Sequence, residues 1–353
     1  MTTQDFPSTA GFAAAIFDWY DRHGRSLPWR RRWPDLAPAY HVWLSEIMLQ
    51  QTVVATVIPY FLEFTRRWPD VCSLAAASSE DVMSAWAGLG YYARARNLHR
   101  AAQQVCTDHA GEFPSDVDGL RGLPGVGPYT AGAIAAMAFG RQSTVVDGNI
   151  ERVMARYFAV STPLPAAKAE IGGIYDRIRP SQRPSDFPQA LMDFANAVCT
   201  PKSPGCRACP LAEGCTARAA GTPEIWPVKA PKKVKPTRRG IAFVAIDADE
   251  RAFMVTRPDS GMLGGMQAFP SAGWTPADPG YDPDAPLANA PLEADWRMAA
   301  EPVAHVFTHF TLSMDVAVAR LPTVAEGEAW RRVRPASLPT LMRKVWKAAR
   351  TPG

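Results

Sequence analysis

The chain has 353 residues, of which 47% are hydrophobic and 20% are charged, and its formal net charge is +4. This composition is typical of globular proteins, and the length favours two domains over one. No apolar run approaches the roughly eighteen residues of a membrane span, and the N-terminus lacks a signal-peptide pattern. We therefore expect a cytoplasmic protein in a reducing environment. The small positive charge alone indicates no particular partner.

The first part of the chain has helical periodicity. Apolar residues recur at three- and four-residue spacing at Phe12, Ile16 and Trp19, and again between residues 150 and 157. This pattern predicts an all-α domain over residues 1–222.

A basic, proline-rich stretch at 223–239 separates this part from the rest, and we interpret it as an extended linker. Beyond it, four short segments rich in β-branched and aromatic residues predict strands. Residues 276–291 predict a long loop, and residues 340–350 a closing helix. The expectation for 240–353 is a smaller α+β domain.

The six cysteines fall into two groups. Cys72 and Cys106 stand alone in helical segments, and in a reducing compartment we expect free, inert thiols. The other four follow the spacing C-x6-C-x2-C-x5-C and are Cys199, Cys206, Cys209 and Cys215. Thiolates this close together need a metal centre to offset their repulsion, and the spacing alone allows either structural zinc or an iron–sulfur cluster.

The segment "LPGVGPYTAGAI" predicts a tight turn that leads into a helix. Gly125 and Gly127 let the backbone approach a phosphate closely, and the free N–H groups of a helix start attract anions. Such contacts position a protein on DNA without reading its sequence. Taken alone, the segment also fits an ordinary turn between two helices.

Two carboxylates are candidates for catalysis. On a helix, Glu46 shares one face with Val42 and Leu49, so the acid lies in an apolar stripe and its pKa should be raised, as a general acid requires. Periodicity alone equally allows a surface acid on a differently phased helix.

Asp147 stands where an apolar run gives way to a helix, and its simplest interpretation is an N-cap. A carboxylate held there is also rigid enough to stabilise a cationic transition state. An acid paired with such a carboxylate is the arrangement that cleaves glycosidic bonds.

The hairpin segment, the "VDGN" that follows it and the cysteine spacing together resemble the helix–hairpin–helix DNA glycosylases related to endonuclease III. That resemblance implies that the four clustered cysteines hold one [4Fe–4S] cluster with a structural and DNA-binding role, without a catalytic metal. "LPWR", "VWLSEIMLQQT" and "GLGYYARARNLH" are most similar to the MutY-type adenine DNA glycosylases, which remove adenine mispaired with 8-oxoguanine.

The resemblance implies roles for the carboxylates and for their neighbours. Glu46 would protonate the adenine ring, Asp147 would stabilise the sugar cation or bond to it, and Asn149 would orient the site. Bifunctional relatives carry a lysine where this chain has Tyr129, and a phenol cannot form an imine. We therefore expect base release without efficient strand cleavage, with Tyr129 free to hydrogen-bond a catalytic carboxylate.

The resemblance also implies residues that contact the flipped base. Trp29, Arg30 and Gln189 would line the adenine pocket, while Gln51 and Tyr91 would insert into the base stack. Without the resemblance, Trp29 and Tyr91 would be interpreted as core aromatic residues.

The second domain resembles the Nudix-like domain of the same family, through "MLGGMQAFP" at residues 262–270. The region after it lacks the glutamate cluster of Nudix hydrolases, so we expect recognition and not hydrolysis. Phe307, Thr308 and His309 match the family's 8-oxoguanine-sensing loop, with threonine in place of the usual serine. The same residues also fit an alternating strand with a polar face.

Two other functions compete with adenine removal. A bifunctional oxidised-pyrimidine glycosylase of the same fold is disfavoured by Tyr129, by Glu46 and by the second domain. A non-catalytic DNA- or nucleotide-binding protein is disfavoured by the presence of both carboxylates. The expected partner is double-stranded DNA with A:8-oxoguanine or A:G mispairs, bound by a monomer that does not associate with membranes.

Overall fold

The computed structural model of the chain describes residues 11–231, 234–258, 261–276, 278–324, 327, 329–335 and 338–351. The N-terminal residues that lack a signal pattern lie outside these ranges. The chain forms two compact units, Met1–Pro231 and Lys232–Gly353. None of the helices in the described ranges is both long and apolar enough to cross a membrane.

The first unit is helical, as predicted. Its α-helices are α1 (Phe12–His23), α2 (Ala39–Leu49), α3 (Val54–Arg67), α4 (Val71–Ala76), α5 (Ser79–Ala85), α6 (Ala93–Asp108), α7 (Val117–Arg121), α8 (Pro128–Phe139), α9 (Gly148–Tyr157), α10 (Lys168–Ile178), α11 (Asp186–Ala197) and α12 (Thr216–Ala219). The predicted apolar faces of α1 and α9 are buried in one core. Helix α2 packs against both α3 and α8. It is therefore buried on nearly all sides, and a polar residue on it lies inside the protein.

Cys72 and Cys106 form a disulfide, so the prediction of isolated thiols is wrong. Cys72 lies on α4 and Cys106 on α6, and these two helices pack side by side. Their Cα atoms are 5.7 Å apart, which is within the range that a disulfide spans. The two positions are 34 residues apart in the chain, so their spacing gave no sign of the pairing.

The predicted linker begins later than expected. Trp226 packs against the helical core, and the main chain of Val228 accepts a hydrogen bond from Leu164 N at 2.8 Å. Residues 223–231 therefore belong to the helical unit, and the first strand already begins at Thr237. The apolar surface of one tryptophan explains why the start of this basic segment is packed and not solvated.

The second unit contains the predicted strands. They are β1 (Thr237–Ile246), β2 (Arg251–Phe253), β3 (Val255–Thr256), β4 (Gln267–Ala268), β5 (Ser271–Ala272), β6 (Arg297–Met298), β7 (Val303–Val306), β8 (Thr311–Arg320) and β9 (Trp330–Arg332). The main sheet has the order β6-β8-β1-β2-β9, with β5 on β1, β7 on β8, and β3 paired with β4 separately. Strands β1 and β8 are parallel, with Thr237 opposite Thr311 and Ile246 opposite Arg320.

The closing helix α13 (Thr340–Ala349) is also confirmed, and it packs its apolar face against β1, β7 and β8. No helix or strand is found in the described residues between β5 and β6, which includes the predicted loop at 276–291. The acidic helix of Nudix hydrolases is therefore absent from the described part of this region.

Candidate active site

Glu46 lies in the last turns of α2 and is only 7% exposed. The pKa of Glu46 is raised to about 7, mainly by burial and also by the negative charge of Asp147. A hydrogen-bonding interaction with Tyr129 and the charge of Arg30 oppose this rise. A substantial fraction of Glu46 therefore carries a proton at neutral pH, which a general acid needs.

Asp147 is the N-cap of α9, as its position in the sequence predicts. Its Oδ1 accepts hydrogen bonds from the backbone N–H groups of Asn149 at 3.0 Å and Ile150 at 2.8 Å. Its Oδ2 accepts a hydrogen bond from the Asn149 side-chain amide at 2.7 Å. These donors hold the carboxylate in one orientation beside Glu46.

Tyr129 is the second residue of α8, and its side chain interacts with Glu46 and Asp147. Its pKa is raised by burial, then by the charges of Glu46 and Asp147. The hydroxyl also donates a weak hydrogen bond to Met192 Sδ at 3.8 Å. The phenol thus lies next to both acids.

The hairpin itself consists of α7, a turn and α8. Gly125 has a φ of +79°, and a Cβ there would lie 3.0 Å from the Cβ of Asn97. A Cβ at Gly127, the N-cap of α8, would meet only open space. The first N–H groups of a helix have no partner within it, so this open helix start can accept a phosphate.

Arg30 acts on Glu46 through its positive charge, and it is held in place by a buried ion pair with Asp193. Its Nη1 is 2.8 Å from Asp193 Oδ2, and Arg25 Nη2 is 2.6 Å from Asp193 Oδ1. Burial alone would raise the pKa of Asp193, but the charge and hydrogen bonds of Arg30, and then those of Arg25, lower it. Gln189 lies one turn earlier on α11, is buried, and donates to Ser185 O at 2.8 Å.

Trp29 is more enclosed than a residue that only lines an open pocket. It is 5% exposed, and its ring meets Phe61 edge-on with a centroid distance of 5.1 Å. Its packing is therefore that of a core residue, although it immediately precedes Arg30.

Gln51 and Tyr91 share an unusual backbone conformation. Their φ values are +57° and +47°, a region that costs a non-glycine residue about 1–3 kcal/mol. Both side chains are solvent-exposed, and Tyr91 is 62% exposed. Two strained, outward-facing residues on adjacent loops fit side chains that insert into DNA.

Arg94 joins the two loops that carry Gln51 and Tyr91. Its buried guanidinium donates to Met48 O at 2.9 Å and Gln50 O at 2.5 Å on one side. On the other side it donates to Leu89 O at 3.0 Å. These bonds satisfy carbonyls at the end of α2 that the helix leaves without partners.

The four clustered cysteines line one small cavity, together with Arg156 and Arg218, among others. All four are free thiols, and burial raises the pKa of Cys209 to about 12. Arg156 donates to Cys199 Sγ at 3.4 Å. In the described ranges, no group of three or more His, Cys, Asp or Glu side chains is arranged to hold a single metal ion.

In the second unit, Phe307, Thr308 and His309 lie in the turn between β7 and β8. Phe307 is half-buried, whereas Thr308 and His309 are exposed. The backbone N–H of Phe307 donates to Phe310 O at 2.9 Å, which closes the turn.

The chain matches two domain families. Residues 44–171 match the HhH-GPD superfamily of base excision DNA repair proteins, and residues 241–348 match the NUDIX domain. The human adenine DNA glycosylase is 34% identical, and the match covers 98% of this chain and 75% of the human protein. The chain belongs to the adenine DNA glycosylase family. The glycosylase of Mycolicibacterium smegmatis is 39% identical over 59% of this chain and 70% of its own length.

Solved structures support the same fold for the catalytic unit. A thermostable thymine-DNA glycosylase is 26% identical with a TM-score of 0.56, covering 60% of this chain and 97% of its own. An endonuclease III–DNA complex, 21% identical, has a TM-score of 0.51, covering 61% of this chain and 98% of its own. The predicted fold class, a helix–hairpin–helix domain followed by a Nudix-like domain, is confirmed.

Several polar residues of this glycosylase's site were missed from the sequence. Asp193 follows Gln189 by one helical turn, so the i, i+4 spacing on α11 could have indicated it. Its partner Arg25 lies far away in the chain, and no local pattern indicated that pair.

Arg152, on α9, was also missed, and it connects the cysteine loop to Asp147. Its Nε donates to Cys199 O at 2.8 Å, and its Nη2 donates to Asn149 Oδ1 at 3.2 Å. Since Asn149 in turn donates to Asp147, a continuous hydrogen-bonded path leads from the first cysteine to the carboxylate.

Proposed function

We propose that the protein removes adenine from double-stranded DNA, where the adenine is mispaired with 8-oxoguanine or guanine, by hydrolysing the N-glycosidic bond. One observation carries this proposal. Glu46, with a pKa of about 7, stands beside Asp147, which is oriented by three hydrogen bonds. One group can supply a proton and the other a negative charge, which glycosidic cleavage requires.

In the proposed reaction, Glu46 donates its proton to a ring nitrogen of the flipped adenine. The bond between C1′ and N9 breaks, its electron pair leaves with adenine, and the sugar becomes an oxocarbenium-like cation. Water then adds to C1′ and returns a proton to the Glu46 carboxylate. The products are free adenine and an abasic site.

Asp147 stabilises the sugar cation by its charge. Both of its oxygens already accept hydrogen bonds, which reduces their nucleophilicity and holds the carboxylate in place. A preorganised charge needs no reorganisation as the cation forms, and this is a large source of catalysis. We therefore favour electrostatic stabilisation over a covalent bond to the sugar.

The proposed reaction is monofunctional, because Tyr129 offers no amine that could form an imine with the sugar. If Tyr129 lies next to the reacting sugar, the Tyr129→Lys variant should form a covalent complex with DNA that borohydride traps. It should also cut the strand without alkali. Tyr92→Lys, which changes another half-buried tyrosine of the helical unit, is the matched control and should form no complex. Trapping of the wild-type protein would contradict this assignment.

We also propose that Cys199, Cys206, Cys209 and Cys215 hold a [4Fe–4S] cluster. The four thiols line one cavity, and four cysteine thiolates are the ligand set that such a cluster takes. The bound cluster would supply the positive charge that keeps these buried thiols deprotonated. Arg152 and Arg156 then fix the main chain of Cys199 from α9.

This cofactor assignment predicts the metal content of the purified protein. Anaerobically purified chain should be brown and contain about four iron atoms per molecule. Elemental analysis with visible absorption measures both. Colourless, folded protein with one zinc per chain would overturn the assignment.

Substrate and product can be tested together. Single-turnover reactions would use duplexes that contain A:8-oxoguanine, A:G or A:T, and each time point would be divided, with and without hot alkali. The proposal predicts breaks in the first two duplexes, only after alkali, and none in A:T. Breaks without alkali would indicate lyase chemistry. Cleavage only of duplexes with oxidised pyrimidines would favour the bifunctional alternative.

The proposed partner is thus mispaired double-stranded DNA. Its backbone would bind at the open start of α8, near Gly125 and Gly127. We further propose that the protein acts as a monomer in the cytoplasm, in contact with DNA.

A further inference from the structure

The residues that precede β1 run alongside the turn between β7 and β8. Strand β1 is parallel to β8, and the hydroxyl groups of Thr237 and Thr311 are 2.9 Å apart. Thr311 N also donates to Pro236 O at 3.0 Å. This register brings residues 234–236 next to residues 307–310, which include the loop that the sequence resemblance leads us to expect as the 8-oxoguanine sensor.

The ring of Phe307 is fixed in an aromatic column. It stacks on Trp274, with centroids 5.7 Å apart, and on Phe310, with centroids 4.8 Å apart. Arg257 lies 4.7 Å from the Trp274 ring, and Arg238 lies 4.1 Å from the Phe310 ring. The ring of Phe307 is therefore held within the unit by stacking on two rings, each of which also makes a cation–π contact with an arginine.

The backbone of Phe307 is held as well, by a residue from outside the turn. Lys235 Nζ donates to Phe307 O at 2.8 Å. This carbonyl belongs to the peptide that joins Phe307 to Thr308, so the hydrogen bond fixes the plane from which Thr308 projects. Because the ring and the carbonyl of Phe307 are both fixed, the exposed side chains of Thr308 and His309 project from the turn in a defined direction.

We infer that Lys235 is a positioning residue for lesion recognition, acting through the Phe307 carbonyl; this rests on the proposed function. 8-Oxoguanine differs from guanine in an extra oxygen at C8 and a proton on N7. A small polar tip distinguishes these atoms only if its donors and acceptors keep their directions. Loss of the Lys235 ammonium lets the peptide between Phe307 and Thr308 rotate. It should therefore reduce the preference of the protein for A:8-oxoguanine over A:G.

The test compares Lys235→Met with Lys344→Met. Lys344 Nζ donates to Ala304 O, also at 2.8 Å, so it makes the same kind of bond to β7, away from the turn. Single-turnover rates over a range of enzyme concentrations give the half-saturating concentration and the maximal rate for A:8-oxoguanine and A:G duplexes. Lys235→Met should lower the preference for 8-oxoguanine about three- to tenfold, with unchanged melting temperature and unchanged maximal rate on A:G. Lys344→Met should match the wild type, and Lys235→Arg should restore most of the preference.

Three results would overturn the inference. The preference could be unchanged in Lys235→Met, or it could fall equally in Lys344→Met. Lys235→Met could also weaken the binding of the A:8-oxoguanine and A:G duplexes equally and reduce the salt dependence of binding. That result would assign Lys235 to a contact with a DNA phosphate. A wild-type protein that does not release adenine, or does not prefer 8-oxoguanine, would instead refute the proposed function before any variant is compared.

Discussion

Replacing Glu46 by Gln should reduce the single-turnover rate of adenine release by about 10²–10⁴-fold, while mismatch binding changes little. The amide keeps the shape of the side chain but has no acidic proton to give to the base. Rates on an A:8-oxoguanine duplex, with dissociation constants from gel shift, measure both effects.

The matched control for this variant is Glu151→Gln. Glu151 is also buried, lies on α9, and pairs with Lys168 at 3.6 Å. It should retain activity close to that of the wild type. Full activity of Glu46→Gln would show that another group donates the proton.

The stability of Glu46→Gln separates a chemical defect from misfolding. The pKa of Glu46 is raised from 4.5 to about 7, so the folded carboxyl keeps its proton at pH values where the unfolded one has lost it. Its contribution to the free energy of unfolding is complete below the unfolded pKa and is lost as pH rises to about 7. At about pH 8, the variant should therefore be as stable as the wild type or more stable, by up to about 3 kcal/mol.

Replacing Asp147 by Asn should reduce the maximal rate about 10²–10³-fold, because the amide cannot stabilise a developing cation by charge. The asparagine oxygen can still cap α9, so the helix should remain intact. Circular dichroism and the melting temperature check the fold, and single-turnover kinetics check the rate.

Asp116→Asn is the control for the capping role of Asp147. Asp116 caps α7 by accepting a hydrogen bond from Gly119 N at 2.8 Å. Its replacement should change stability slightly and leave adenine release nearly unchanged. An equal loss of rate in both variants would mean that Asp147 acts only as a helix cap.

Local sequence patterns predicted the features that depend on neighbouring residues. The N-cap at Asp147, the tight turn at Gly125, and the acid at Glu46 inside an apolar helix all depend on residues a few positions away. The burial that raises the pKa of Glu46 follows from the same apolar stripe.

Features that join distant parts of the chain were not predictable from spacing. Asp193 pairs with Arg25 across 168 positions, and the Cys72–Cys106 disulfide depends on how α4 packs against α6. The hydrogen bond between Lys235 and Phe307 likewise depends on the register of two parallel strands. Tertiary packing creates these contacts, and no local period or composition encodes them.

The central claim is that a protonated Glu46 carboxyl starts the reaction, and the pH dependence of the wild-type single-turnover rate tests it most directly. Rates on an A:8-oxoguanine duplex would be measured at saturating enzyme between about pH 5.5 and 9. We predict that the rate falls tenfold per pH unit above an apparent pKa near 7, since the acid loses its proton there. The residual rate of Glu46→Gln should lack this transition. A wild-type rate that stays constant or rises between about pH 7 and 9 would contradict the account.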